Sequence, residues 1–123
     1  MSAVVVYLDH EHAKVFRLTP GKVDSQEFRS HEHHGHREPQ GKHGHSHAGS
    51  EKFFHELATK VSDASELLIV GHGLAKEHFK HHLDSHHAAL STKVVGVETV
   101  DHPTDNQVLA KARLFFKQHD LFS

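Results

Sequence analysis

The hydrophobic positions in the first quarter of the chain fall into short runs of strand type. Ala3–Leu8 and residues 13–18 are apolar and rich in β-branched residues, and the polar turn between them predicts a hairpin. After a second turn, residues 23–29 predict a third antiparallel strand that buries Val23 and Phe28. The sheet is therefore expected to begin as a three-stranded meander.

The rest of the apolar pattern alternates between helical and strand spacing. Residues 53–61 carry apolar side chains at helical spacing behind Ser50, a candidate N-cap, and predict the first helix. Residues 67–70 form the continuous apolar run of a strand covered on both faces. The next helix repeats its apolar residues at Ala75, Phe79 and Leu83.

A last strand and a last helix complete the pattern. Residues 93–97 predict the strand, and residues 104–116 or beyond predict the helix. Thr104 and Gln107 have the spacing of a capping box. The last two strands are reached through right-handed helical crossovers, so they pair in parallel. We therefore predict a mixed five-stranded α/β sheet with three helices, of ribonuclease H-like architecture.

The turn after residue 70 is a candidate anion site. Gly71, His72 and Gly73 lead into a helix whose first backbone N–H groups are free, and Lys76 stands beside them. This arrangement predicts binding of a phosphate or carboxylate. A purely structural role remains open, because two glycines one residue apart are common where a strand turns into a helix.

The same segment resembles the middle domain of archaeal and eukaryotic class 1 peptide-chain release factors and of Pelota. The family pattern is an apolar strand, GPG, two residues, lysine, two residues and phenylalanine. Gly71, Gly73, Lys76 and Phe79 match this pattern, and His72 replaces the proline. The order of elements over nearly all 123 residues is similar to a bacterial, single-domain offshoot of the group. The resemblance implies a role with the ribosome or structured RNA.

Residues 30–49 form a histidine-rich segment without apolar periodicity, and we expect a loop there. Neutral imidazoles suit Zn, Ni and Cu, and alternate residues of an extended segment project to one side. A solvated loop without bound metal is the alternative. The candidate metal ligands are His31, His33, His34, His36, His43, His45 and His47.

The resemblance gives this loop another interpretation, since release factors carry the GGQ tripeptide at the corresponding place. The present chain has no GGQ, so the resemblance does not extend to peptidyl-tRNA hydrolysis. Domains that read stop codons are also missing from these residues. A loop that contacts ribosomal RNA remains, with Arg29, Arg37 and Lys42 on phosphates and histidines stacked on bases.

A second histidine group, His78, His81, His82, His86 and His87, follows the glycine turn on the predicted helix. His78 and His82 are four residues apart, as are His82 and His86, so either pair could chelate one ion. The favoured interpretation is structural. His82 and His86 lie close to the apolar stripe, which predicts partial burial with one hydrogen bond.

Composition bounds the function classes. The chain has 123 residues, 36% of them hydrophobic, which predicts one compact domain. Fourteen basic and sixteen acidic side chains nearly balance, while 18 histidines make the charge sensitive to pH. There is no cysteine, and no nucleophilic triad, Walker sequence or dinucleotide fingerprint. We expect a cytoplasmic binding protein that needs no cofactor, does not enter membranes and could form homo-oligomers.

Overall fold

The computed structural model describes residues 2–9, 11–19, 21–29 and 47–122. Five strands and four helices lie in these ranges. The strands are β1 (Ala3–Leu8), β2 (His12–Thr19), β3 (Lys22–Arg29), β4 (Glu66–Gly71) and β5 (Val94–Thr99). The helices are α1 (His47–Lys60), α2 (Ala75–His86), α3 (Ala88–Ser91) and α4 (Asp105–Phe122).

The strands form one mixed sheet in the order β3-β2-β1-β4-β5. The β1–β2 and β2–β3 pairs are antiparallel, and the β1–β4 and β4–β5 pairs are parallel. The parallel pairs arise because each helical connection returns the chain to the end of the sheet at which the preceding strand began. The predicted mixed five-stranded α/β fold is confirmed.

Two apolar clusters, one on each face of the sheet, form the core. Helices α1 and α2 cover one face, and α4 covers the other. On β4, Leu67 and Ile69 belong to the first cluster, whereas Leu68 and Val70 belong to the second. All four side chains are fully buried. Helices on both faces therefore account for the continuous apolar run that predicted this strand.

The edge strand β3 is less buried than its sequence predicts. Phe28 is partly buried and packs against the cluster beneath α1 and α2. Val23 lies five residues away, on the other face of the strand, and is 37% exposed. The expectation that both side chains are buried is wrong for Val23, because Val23 lies on the edge strand, whereas α4 packs mainly against the central strand β1.

Helix α1 begins earlier than predicted. It starts at His47, so Ser50 lies inside the helix and is not its N-cap. Residues 47–49, which the prediction placed in the loop, belong to α1. Residues 47–50 contain no proline, and one glycine destabilises a helix by only about 1 kcal/mol. A helix anchored by the buried Phe53, Phe54 and Leu57 can therefore extend toward its N-terminus.

The described residues contain one helix more than the three predicted. Helix α3 is four residues long and follows α2 after a single residue, His87. The His87 N–H donates to the Leu83 carbonyl at 2.8 Å, and the Ser91 N–H donates to the His87 carbonyl at 2.9 Å. Leu90 anchors the turn in the core. One helical turn is too short to produce a periodic pattern, which is why it was not predicted.

The predicted capping box at the start of α4 is confirmed. The Thr104 N–H donates to the Gln107 side-chain carbonyl at 2.9 Å, and the Gln107 N–H donates to Thr104 Oγ1 at 3.1 Å. The buried face of α4 consists of Val108, Ala112 and Phe116. None of the helices in the described ranges is long and apolar enough to span a bilayer.

Candidate functional site

The turn between β4 and α2 depends on its two glycines for different reasons. A Cβ atom on Gly71 would lie 2.4 Å from the Leu8 carbonyl oxygen on the neighbouring strand. Gly73 has open space around its Cα but adopts φ +78°, a conformation that side-chain-bearing residues resist. The turn therefore favours glycine at position 71 because of the close approach to β1, and at position 73 because of the backbone conformation.

Lys76 lies in the first turn of α2, and its side chain is only 5% exposed. The ammonium group donates to the Gly73 carbonyl oxygen at 2.5 Å and lies 3.8 Å from the Glu77 carboxylate. Lysine is rarely buried unless its charge is paired or hydrogen-bonded. The side chain closes its own turn, and its predicted contact with an external anion stays a prediction.

His72 is the exposed member of the turn and lies beside the loop between β5 and α4. Its Nδ1 is 3.8 Å from the Asp101 carboxylate, and its ring centroid is 4.9 Å from that of His102. The Nε2 atom of His102 is 3.6 Å from the same carboxylate. These three side chains are exposed and could converge on one cation. The surface at the turn is thus mixed in charge.

A cavity of about 230 Å³ lies at the same end of the sheet, and its lining includes Tyr7, His12, Lys14 and His102. The Lys14 ammonium donates to the Asp105 carboxylate at 2.8 Å, and this hydrogen bond raises the pKa of Lys14. Burial, assisted by the nearby carboxylate of Asp9, raises the pKa of Tyr7. The lysine at this cavity is therefore already paired with a carboxylate.

The predicted RNA-contacting residues fall into two places. Gly71, His72, Gly73 and Lys76 lie together in the turn. Arg29 ends β3 at the same end of the sheet, but three strand positions away, about 14 Å. Its guanidinium is exposed and lies 3.8 Å from the Glu27 carboxylate. Other predicted residues lie outside the described ranges: Arg37, Lys42, His31, His33, His34, His36, His43 and His45.

The histidines after the turn are arranged differently from the prediction. His82 is buried, with 8% of its surface exposed, whereas His86 is exposed, so the predicted burial of His86 is wrong. The Nε2 atom of His82 is buried and has no hydrogen-bond partner among the described residues. The predicted single hydrogen bond of His82 is thus not observed at this nitrogen. The predicted ligand His47 is the first residue of α1.

His82 lies beside the rings of His86 and His87, and it forms a group with His87 and with His55 from a different helix. The Nδ1 atom of His55 on α1 lies 3.2 Å from Nε2 of His87. The ring centroid of His87 lies 5.1 Å from that of His55 and 5.3 Å from that of His82. Burial lowers the pKa of His82 and also of His87, and the neighbouring imidazoles lower both further. A lowered pKa favours the neutral ring, which is the form that binds a metal ion.

Sequence reasoning missed His55 because it considered spacing within one helix only. His55 follows the buried Phe54 on α1, and the Phe54 ring lies 5.8 Å from the His82 ring. No local spacing relates His55 to His82, and only the packing of α1 beside α2 brings them together. Of the pairs predicted at spacing four, His82 and His86 have ring centroids 4.9 Å apart. The group of His55, His82 and His87 draws on two elements, with His87 after α2.

Comparison with known proteins gives matches in structure only. No protein-family model matches the sequence, and no curated protein matches it. Archaeoglobus fulgidus Pelota is 17% identical with a TM-score of 0.66, over 96% of this chain and 34% of that chain. An archaeal translation termination factor, aRF1, is 12% identical with a TM-score of 0.63, over 98% of this chain and 39% of that chain.

A further match is S. cerevisiae Dom34, 11% identical with a TM-score of 0.51, over 78% of this chain and 28% of that chain. The chain thus spans about a third of the length of the proteins it matches. Identities this low establish a common fold and nothing beyond it. The predicted structural resemblance to the release factor and Pelota group is confirmed.

Proposed function

We propose that this protein is a translation-associated binding protein that contacts the ribosome or structured RNA in the cytoplasm. The observation that carries the proposal is the fold, which is similar over 96% and 98% of the chain to a Pelota and to a translation termination factor. Dom34, a third neighbour, is a translation termination-like factor involved in RNA quality control pathways. Two of these neighbours are described as a translation termination factor and a translation termination-like factor, so we favour the ribosome as the partner of this chain.

The proposed contact surface is the end of the sheet at which β1, β3, β4 and β5 finish. Arg29 ends β3 there and leads into residues 30–46, while the turn at 71–76 follows β4 at the same end. We assign phosphate contacts to Arg29, Arg37 and Lys42 and base stacking to the histidines between them. The backbone N–H groups of the turn and His72 would add anion contacts.

The proposal does not include hydrolysis of peptidyl-tRNA. The 123 residues contain no GGQ, and residues 41–47 offer glycine, lysine, serine and histidine in its place. Without the glutamine, nothing in this segment corresponds to the group that assists hydrolysis in the release factors it resembles. Binding is therefore the function that this chain's own residues support.

Co-sedimentation with ribosomes across a salt series tests the proposal. We expect binding that weakens as salt rises and that persists in the presence of a chelator. Replacing Arg29, Arg37 and Lys42 with glutamine should reduce the slope of log affinity against log salt by about 2, if each contacts one phosphate.

A matched control removes the same charge from other surfaces. Lys93, Arg113 and Lys117 are exposed, and Lys93 directly precedes β5 at the opposite end of the sheet. Their replacement by glutamine should leave the slope unchanged. Failure to sediment with ribosomes at low salt, or an equal change of slope in both triple variants, would contradict the proposal.

A second candidate function is binding of Zn, Ni or Cu by the histidine-rich segment. Its support is the ligand density, with seven histidines between residues 31 and 47. Metal stoichiometry should fall when these seven are replaced by serine, and metal should be released on acidification. An unchanged stoichiometry in the serine variant would eliminate this function for the segment.

A further inference from the structure

Three imidazoles converge where α1 packs beside the end of α2. His55 comes from the middle of α1, His82 from the third turn of α2, and His87 from the residue between α2 and α3. One nitrogen from each ring can be chosen so that all three lie within 4.8 Å of one another. The group therefore joins two helices that are separated in sequence by a strand.

The spacing of these nitrogens suits a tetrahedral metal ion. With zinc–nitrogen bonds of about 2.0–2.1 Å, two imidazole nitrogens on one ion lie about 3.4 Å apart. The observed distance between Nδ1 of His55 and Nε2 of His87 is 3.2 Å. One nitrogen of His82 lies within 4.8 Å of a nitrogen of each of the other two rings.

His82 supplies independent evidence for a ligand. Its side chain is more than nine-tenths buried, and Nε2 has no hydrogen-bond partner in the described part of the chain. A buried polar atom without a partner is destabilising, and native proteins rarely contain one. The hydrogen bond between His55 and His87 accounts for two of the rings but leaves Nε2 of His82 unsatisfied. One ion bound to all three rings would satisfy it.

The chemistry of the donors selects the ion. Three imidazole ligands suit Zn²⁺, and a site with three protein ligands leaves the fourth position to water. His55 is exposed, so solvent can reach that position. The carboxylate of Glu51, one turn before His55 on α1, acts electrostatically on His82 and would offset part of the ion's charge.

We propose that His55, His82 and His87 bind one Zn²⁺ ion, which links α1 to the end of α2. This site is distinct from the histidine-rich segment, because its three ligands all lie outside residues 31–47. It also does not depend on ribosome binding. Zinc bound to the folded chain stabilises it, because the unfolded chain cannot hold the three rings together.

The test begins with the full chain in which the seven segment histidines, His31, His33, His34, His36, His43, His45 and His47, are replaced by serine. After removal of metal with a chelator, titration with Zn²⁺ in a calorimeter should still give one site per chain. In that background His55→Ala should weaken zinc binding at least tenfold. His55 is exposed, so the variant is expected to fold, which circular dichroism would verify.

His81→Ala in the same background is the matched control, because His81 is an exposed histidine on α2 and is not in the cluster. It should bind zinc as the parent does. In nitrogen NMR spectra, zinc should shift the imidazole signals of His55, His82 and His87 and leave that of His81 unchanged. Absence of stoichiometric zinc binding, equal affinity in His55→Ala, or ring shifts confined to other histidines would each overturn the proposal.

Discussion

Helix α2 carries both of the buried polar or charged residues in the described part of the chain, and they differ in how they are satisfied. Lys76, near the start of the helix, donates to the carbonyl of Gly73, three residues earlier. His82, six residues later, has a buried ring nitrogen without a described partner. The lysine that the sequence singles out for an external anion is used inside its own turn. His82, which was expected to form a hydrogen bond, is the residue whose buried ring nitrogen has no partner among the described residues.

The difference teaches where local sequence is informative. A partner three residues away is available in any fold that forms the turn, so the environment of Lys76 is local. The neighbours of His82 include His55, which is 27 positions away along the printed sequence and belongs to another helix. Only the packing of α1 beside α2 brings them together. Functional predictions from spacing are therefore strongest within one element and weakest between elements.

The largest expected effect is on the turn that holds Lys76. Gly71→Ala would place a Cβ atom 2.4 Å from the Leu8 carbonyl oxygen, which is backbone in the central strand and cannot move freely. We expect the free energy of unfolding to fall by about 3 kcal/mol, at the upper end of the range for overpacking. Urea denaturation followed by circular dichroism measures it.

Gly73→Ala is the matched control for this prediction. Its Cβ atom would meet no neighbour within 4 Å, so only the left-handed backbone at φ +78° opposes it. The free energy of unfolding should fall by about 1 kcal/mol. A larger loss for Gly73→Ala than for Gly71→Ala would mean that conformation, and not the close approach to β1, determines the turn.

Lys76→Met tests whether the lysine is structural. Methionine keeps most of the buried aliphatic stem but removes the ammonium group that donates to Gly73. We expect the free energy of unfolding to fall by about 1.5 kcal/mol, the lower value for a hydrogen bond from a charged group. The slope of log ribosome affinity against log salt should change by less than about 0.7, the value expected for the loss of one phosphate contact.

The control for Lys76→Met is Lys80→Met, which removes a lysine from the next turn of α2, where it pairs with the Asp84 carboxylate at 2.8 Å. This pair is more exposed, so the loss should be at most about 0.5 kcal/mol. If Lys76→Met instead reduced the slope of log ribosome affinity against log salt by a full unit and left stability unchanged, the result would support the anion contact predicted from the sequence.

The fold was predictable because its signals are local and repeated. The apolar run at 67–70 identified a strand buried on both faces, and Thr104 and Gln107 identified the start of α4 from residues three apart. The exposure of Val23 could not be predicted, since it depends on which strands α4 covers. The His55–His82–His87 group was missed for the same reason, because its geometry is set by how two helices pack together.

His82→Leu is expected to have opposite effects without and with zinc. In chelator, leucine removes an unsatisfied buried nitrogen while retaining apolar contact with Phe54, so the free energy of unfolding should rise by about 1 kcal/mol. At zinc concentrations a hundredfold above the dissociation constant, the parent gains about 2.7 kcal/mol and becomes the more stable protein. Thermal denaturation of both proteins in the two buffers shows whether the order reverses.

His81→Leu provides the comparison for that experiment, because it makes the same substitution at the exposed neighbouring position. Its stability should lie within about 0.5 kcal/mol of the parent in either buffer. If His82→Leu is destabilised in chelator, Nε2 of His82 has a partner in solution. His82 and Lys76 would then both be buried polar residues with a hydrogen-bond partner, and the contrast between them would disappear.

The smallest expected effect concerns the charge beside the cluster. Glu51→Gln removes a carboxylate that acts on His82 across the contact between α1 and α2, but Glu51 is exposed and largely screened by solvent. Zinc affinity should therefore fall only about twofold, as expected for an exposed charge pair. Glu56→Gln, an exposed change of equal charge next to His55, should leave the affinity unchanged. A tenfold loss in Glu51→Gln would instead make Glu51 the fourth zinc ligand, so that both helices are joined by a closed site and not by one open to water.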